Sequence, residues 1–217
     1  MEIIFLALIT GYLLYRLWMV LGQETDADQQ RRDSKLFEVE DNVVQMPVKQ
    51  LANEVSFVEE GLKPGVKMGL EALKKADPAF DFSYFLNGAK SAYEMIVIAF
   101  AEGDKETLTQ LLTRKVFGQF EAAIDERNAS KRQLETTVDK FERVDVDSIE
   151  IIERQVAIAV RFKTLQVRLT KDESGTILDN PAKISTSVTD IWTFTRNIDS
   201  NDPAWYLAAT KTETVAY

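Results

Sequence analysis

Residues 184–198 read ISTSVTDIWTFTRNI, and beyond a turn residues 205–213 read WYLAATKTE. In the first run Val188, Trp192 and Phe194 fall two or four residues apart, the repeat of side chains on one side of a strand. Ser187, Thr189, Thr193 and Thr195 take the other side, as small β-favouring residues that tolerate water. Residues 197–203 include Asn, Asp, Ser and Pro, which reverse a chain. Trp205, Leu207 and Ala209 then alternate again. The pattern is a hairpin with one strongly apolar face, and that face needs a cover.

The cover lies upstream. After Asp77-Pro78, which breaks the chain, Phe82, Phe85, Leu86, Ala89, Tyr93, Ile96, Val97 and Phe100 trace one helical stripe. Gly103 is a natural stop. Asp104 caps a short helix running through Leu112, and Thr113 caps another to about Asn128, with Val116, Phe117, Phe120 and Ile124 on its core face. Strands start near Gln133. Val144 and Val146 share one phase, Ile149 and Ile151 the other. Val156, Ile158, Val160 and Phe162 are likewise in phase, and Leu165, Val167 and Leu169 are not. Slips in two neighbouring strands predict a strongly bent sheet curled round the long helix. Helices followed only by strands predict an α+β domain, with helices on one face of an antiparallel sheet.

Ahead of this domain, residues 3–21 are almost wholly apolar and as a helix would span about 28 Å, close to a bilayer's hydrocarbon thickness. Tyr12, Tyr15 and Trp18 suit an interface. The expected organisation is an anchor over 1–22, an acidic flexible linker over 23–60 and a domain over 61–217. Arg16, Arg31, Arg32 and Lys35 lie at or beyond the end of the apolar run, and no Lys or Arg precedes it. The positive-inside rule then puts the domain in the cytoplasm. Residues 61–76, GLKPGVKMGLEALKKA, carry Val66, Leu70 and Leu73 at i, i+4 and i+7, with Lys63, Lys67, Lys74 and Lys75 around them. Such a basic amphipathic helix packs on its own domain or lies on an anionic membrane.

Composition narrows the chemistry. The 217 residues carry a net charge of −9, which argues against nucleic acid. There is neither cysteine nor histidine, which removes thiolate and imidazole nucleophiles, proton shuttles and metal ligands. No catalytic residue, metal site or cofactor is expected. Asp190 falls in register with Val188 and Trp192, so it points to the apolar side, where a carboxylate needs a partner or a pocket mouth. Tyr93, Asp190, Trp192 and Phe194 are the candidate pocket residues. The competing expectation is a core in which Asp190 pairs with a nearby Arg or Lys, and Arg196 stacks on Trp205.

Several stretches resemble the Tim44-like domain family, that of the mitochondrial inner-membrane import-motor tether and its membrane-anchored bacterial relatives. They are DPAFD at 77–81, FLNGAKSAYEMIVIAFAEGD at 85–104, VFGQFEAAIDER at 116–127, DIWTFTRN at 190–197 and PAWYL at 203–207. The resemblance implies a cone-shaped fold like nuclear transport factor two. It implies a non-enzymatic binding or tethering role at the inner membrane, with the bilayer and a translocase-associated protein as partners. The alternative is a small-molecule or lipid-binding module of the cone-shaped superfamily, or an enzyme with Asp190 as base.

Overall fold

The computed structural model describes residues 61–200 and 202–213. The anchor and linker expected over 1–22 and 23–60 lie outside the described residues. The chain divides into two compact units, Met1–Gln50 and Leu51–Tyr217, and the described residues all belong to the second. No helix among the described residues is long and apolar enough to cross a membrane.

Four helices precede the strands among the described residues. Helix α1, Pro64–Ala76, begins on a proline, whose missing N–H is not needed in a first turn. It buries Val66, Leu70 and Leu73, and Lys74 and Lys75 sit in its last turn, where the helix dipole favours cations. Helix α2, Phe82–Glu102, is capped by the Asp81 carboxylate, which accepts from the Tyr84 N–H at 2.8 Å. It ends at Gly103, held at φ 76°, and the Asp104 N–H donates back to the Ala99 carbonyl at 2.8 Å. Asp104 then caps α3, Lys105–Leu111, and α4 follows as Arg114–Ala129. The stripe on α2 is buried as expected at Phe82, Phe85, Leu86, Ala89, Tyr93 and Ile96.

The strands are β1 (Gln133–Ile152), β2 (Gln155–Lys171), β3 (Ile177–Asp179), β4 (Thr186–Asn197) and β5 (Tyr206–Glu213). They form one antiparallel sheet in the order β1-β2-β4-β5, with β3 beside the end of β2. The register of β1 against β2 slips between Val138 and Lys140, between Phe141 and Arg143, and between Val146 and Ser148. The residues passed over are Asp139, Glu142 and Asp147, each an acid with a partner elsewhere in the sheet region. Ser185 bonds Asp139, Lys163 and Ser187 bond Glu142, and Arg161 bonds Asp147. Each extra residue kinks the strand and raises its twist. The phase change between Val146 and Ile149 is therefore real, and it bends the sheet.

The second expected slip is absent. β2 pairs with β4 without a break from Gln155↔Asn197 to Gln166↔Thr186. After Phe162 the inward positions pass to Thr164 and Gln166, both buried, while Leu165 and Val167 fall on the other face. The strand needs no bulge because the Gln166 amide nitrogen and the Thr164 hydroxyl find partners inside. In β5 the opposite correction applies. Ala209 does not follow Leu207 inward: the register shifts between Thr193 and Phe194, and Ala209 is exposed.

The core lies between α2 and the concave face of the sheet. The Tyr93 ring sits 4.6 Å from Phe162 and 4.4 Å from Trp192, centroid to centroid. Phe85 meets Trp205 at 4.7 Å and Phe194 at 6.2 Å. Each such ring or aliphatic chain removed from water stabilises the fold by about 1.5–3 kcal/mol. Two links close the ends. The Thr113 N–H donates to the Leu207 carbonyl at 2.9 Å, and Arg196 pairs with Asp77 while lying over Trp205 at 5.1 Å. Helix α1 packs so closely on β1 that a Cβ on Gly69 would stand 2.5 Å from the Ile149 carbonyl oxygen.

Candidate functional site

Three of the four pocket candidates are ring residues packed against each other in the core. Tyr93, Trp192 and Phe194 are 0%, 5% and 1% exposed, and Asp190 is 7% exposed beside them. Asp190 does not pair with an Arg or Lys. The Tyr93 hydroxyl donates to its Oδ2 at 2.6 Å and the Thr212 hydroxyl to its Oδ1 at 2.6 Å. The β5 register shift is what makes this contact possible: Thr212 lies opposite Asp190 on the neighbouring strand. On the other side, Gln166 Nε2 donates to Tyr93 Oη at 2.8 Å and to Thr164 Oγ1 at 2.9 Å. Burial first, then the Asp190 charge, hold the Tyr93 hydroxyl above the usual tyrosine range, so it remains a donor. Strands β2, β4 and β5 and helix α2 each contribute to this cluster. It satisfies a buried carboxylate with neutral donors.

A second feature opens where the chain enters the domain. A cleft of about 670 Å³ is bounded by Leu62 and Lys63, by Phe82, Leu86 and Lys90 of α2, and by residues Phe141 to Asp147 of β1. Its floor is apolar: Leu62, Phe82, Leu86, Phe141, Val144 and Val146. Its rim is charged, with Lys63, Lys90, Arg143 and Arg161 against Glu142, Asp145 and Asp147. Lys90 holds its ammonium 4.9 Å above the Phe141 ring, and the same ring meets Tyr93 edge-on at 5.7 Å. The cleft floor thus adjoins the buried cluster.

Charge is organised across the sheet beside this cleft. Lys63 donates to Asp147 at 3.1 Å, and Arg161 donates to Asp147 at 2.6 Å and to Glu213 at 2.5 Å. Burial opposes ionisation of Asp147, but Arg161 and then Lys63 outweigh it and hold the carboxyl below its ordinary range. Glu213 is held low chiefly by Arg161, and the Arg161 guanidinium is in turn raised by Glu213 and Asp147. Of the four candidate membrane-contact residues, Lys63 is therefore engaged by Asp147. Lys67, Lys74 and Lys75 are exposed on α1, and Met68 projects between them at 70% exposure. No group of three or more acids able to hold a metal occurs among the described residues.

Sequence reading placed Tyr93, Asp190, Trp192 and Phe194 together and missed Thr164, Gln166 and Thr212. The alternation from Val156 to Phe162, carried two steps further, would have found the first two. The cleft floor had no signal, because Phe82 and Leu86 read as ordinary core positions.

A curled antiparallel sheet clasping one long helix, with helices joined ahead of the strands, defines an α+β domain of the helix-then-sheet type. The chain belongs to the Tim44-like domain family, whose model matches residues 66–212. This is a membrane-associated, translocation-related family, generally non-enzymatic, whose domains typically interact with membranes and proteins. The uncharacterized protein RP434 of Rickettsia prowazekii (strain Madrid E) is 24% identical over 223 residues, 95% of each chain. Among solved structures, the intermembrane-space region of the chloroplast protein ARC6 is 12% identical, with a TM-score of 0.41 over 58% of this chain and 95% of that one. A de novo designed β-sheet protein is 15% identical, with a TM-score of 0.28 over 59% of this chain and 86% of that one.

Proposed function

We propose that the protein is a membrane-anchored, non-enzymatic binding and tethering protein that serves protein translocation or membrane-protein assembly. Its domain stands on the cytoplasmic side of an inner membrane, held by residues 1–22. The cleft carries this reading. An apolar floor inside a charged rim, within the roughly 300–1,000 Å³ of ligand sites, suits an apolar segment that must be held in register. Helix α1 lies at its edge and offers Lys67, Met68 and Lys75 to anionic headgroups, each cation near the surface contributing about 1 kcal/mol.

Two measurements test the two halves. The unit Leu51–Tyr217 is expected to sediment with vesicles rich in anionic phospholipid at low salt. Exchange of Lys67, Lys74 and Lys75 for glutamate is expected to release it. Absence of sedimentation at low salt refutes the lipid half. The apolar, anionic dye anilinonaphthalene sulfonate is expected to bind the same unit and to lose its site in Val144→Asp. Indifference of dye binding to that change refutes the cleft half. The second reading, a lipid or small-molecule module, rests on the Tyr93–Asp190 cluster beside the floor. It requires a ligand whose binding perturbs Trp192 fluorescence.

A further inference from the structure

We propose that the cleft is occupied in cis by the segment of this chain just ahead of it, Val55-Ser56-Phe57-Val58. The inference rests on the reading of the cleft as a site for an apolar segment. Three observations lead to it.

The first is where the chain runs. Gly61, Leu62 and Lys63 line the cleft, so the residues before Gly61 leave from its edge. At about 3.3–3.6 Å per residue, Val58 is within roughly 10 Å of Gly61 and Val55 within roughly 20 Å. No long linker has to be closed, and a short link sets a millimolar effective concentration of the segment at the cleft.

The second is chemical type. Residues 55–58 read VSFV, the most apolar stretch between Gln50 and Gly61, and are followed by Glu59 and Glu60. The lining offers the half-buried Leu62, Phe141 and Val144 to the apolar part.

The third is sign. The cleft is lined by the cations of Lys63, Lys90, Arg143 and Arg161 and by one carboxylate fewer, on a chain of net charge −9. Lys90 lies over the Phe141 ring and has no carboxylate partner among the described residues. Lys63, Arg143 and Arg161 already pair with Asp147, Asp145 and Glu213, so Glu59 and Glu60, entering beside Lys90, meet the lining cation that lacks such a pair.

The occupied cleft has a consequence for binding. An incoming apolar segment must displace Phe57, so its apparent affinity falls by the fraction of molecules with the cleft empty. Partners able to hold residues 55–60 elsewhere would restore it.

The chain has no cysteine, which makes the test direct. In the full chain in mild detergent, Ser56→Cys is paired either with Arg143→Cys on the rim or with Ala209→Cys on the exposed side of β5. A disulfide needs the two Cβ atoms about 3.5–4.5 Å apart. The rim pair is expected to oxidise at least tenfold faster than the β5 pair, and adding Phe57→Asp is expected to remove the difference. Equal rates, or a rim preference indifferent to Phe57→Asp, overturn the proposal. The dye separates this from the underlying reading. Phe57→Asp is expected to raise dye binding several-fold, and Val144→Asp to cancel the gain. Equal oxidation rates with a Val144-dependent dye site overturn the cis occupant and leave the cleft standing. No dye site in either variant overturns both.

Discussion

Replacing Tyr93 with phenylalanine removes a single oxygen from the middle of the buried cluster and leaves the ring packing between Phe162 and Trp192 in place. The lost hydroxyl donates to a carboxylate at 2.6 Å and accepts from Gln166 at 2.8 Å. A hydrogen bond to a charged group contributes about 1.5–3 kcal/mol. Asp190 keeps only the Thr212 donor, and Gln166 Nε2 keeps Thr164 at 2.9 Å. The expected cost is therefore about 2–3 kcal/mol, the upper part of that range, because the carboxylate is only 7% exposed. Urea unfolding of the unit Leu51–Tyr217, followed by tryptophan fluorescence at neutral pH, measures it. A cycle with Asp190→Asn isolates the pair and is expected to show coupling of about 1–2 kcal/mol. The pH dependence supplies a second handle. Tyr93 binds its proton more tightly in the folded state, so its share of stability is intact below the ordinary tyrosine value of 10.0 and declines as pH rises above it. The gap between the native protein and Tyr93→Phe should narrow above that pH. A loss below about 0.5 kcal/mol, or additivity in the cycle, would refute the claim that the donor from α2 satisfies Asp190.

Gly69→Ala should destabilise by about 1–3 kcal/mol although alanine favours helix, because its methyl would press on the Ile149 backbone; α1 amides should lose protection from hydrogen exchange. Gly103→Ala should cost about 1–2 kcal/mol from φ alone, since the nearest atoms to a new Cβ, at 3.5 and 3.6 Å, are ordinary contacts; thermal unfolding reads it. Arg161→Ala should cost about 1 kcal/mol at neutral pH and low salt, for a pair of partly exposed ion pairs. Asp147 is held low in the folded state, so its contribution is present above its ordinary value of 3.8 and is lost as pH falls below it. The acid limb of the stability curve should therefore be shallower in Arg161→Ala, and an unchanged limb would separate Asp147 from Arg161.

The fold was largely legible because its strongest signals are periodic. The α2 stripe and the Trp192–Phe194 alternation predict the helix and the strand that clasp it, and both are buried face to face. The bend in β1 was readable from the change of phase after Val146, since a slip is the only way to keep Ile149 inside. The same inference failed in β2 because a change from apolar to polar residues looks identical to a slip when burial is judged by hydrophobicity alone. Thr164 and Gln166 stay inside by hydrogen bonding, which depends on Tyr93 from another element. Thr212 was hidden for a similar reason: a shift at Ala208 sets it opposite Asp190, and no residue type marks that shift. The cleft lies where separate elements fail to meet, and periodicity within one element carries no record of such a gap.

The three acids passed over in β1 connect the bend to the site. A bulge turns the strand, and the bulged residue leaves the ladder. Glu142 and Asp147 are two of these residues, and both line the cleft. The curl that wraps the sheet round α2 is thus the same distortion that sets carboxylates along the cleft rim and gives Arg161 and Lys63 a partner in Asp147. Inside the curl lies the buried cluster. There the Asp190 carboxylate is satisfied by Tyr93 and Thr212, so a ligand entering between them must first break charge-assisted bonds of about 1.5–3 kcal/mol each. At the cleft an apolar segment meets the half-buried Leu62, Phe141 and Val144 and breaks neither of those bonds. That cost favours binding at the β1 edge over binding inside the curl.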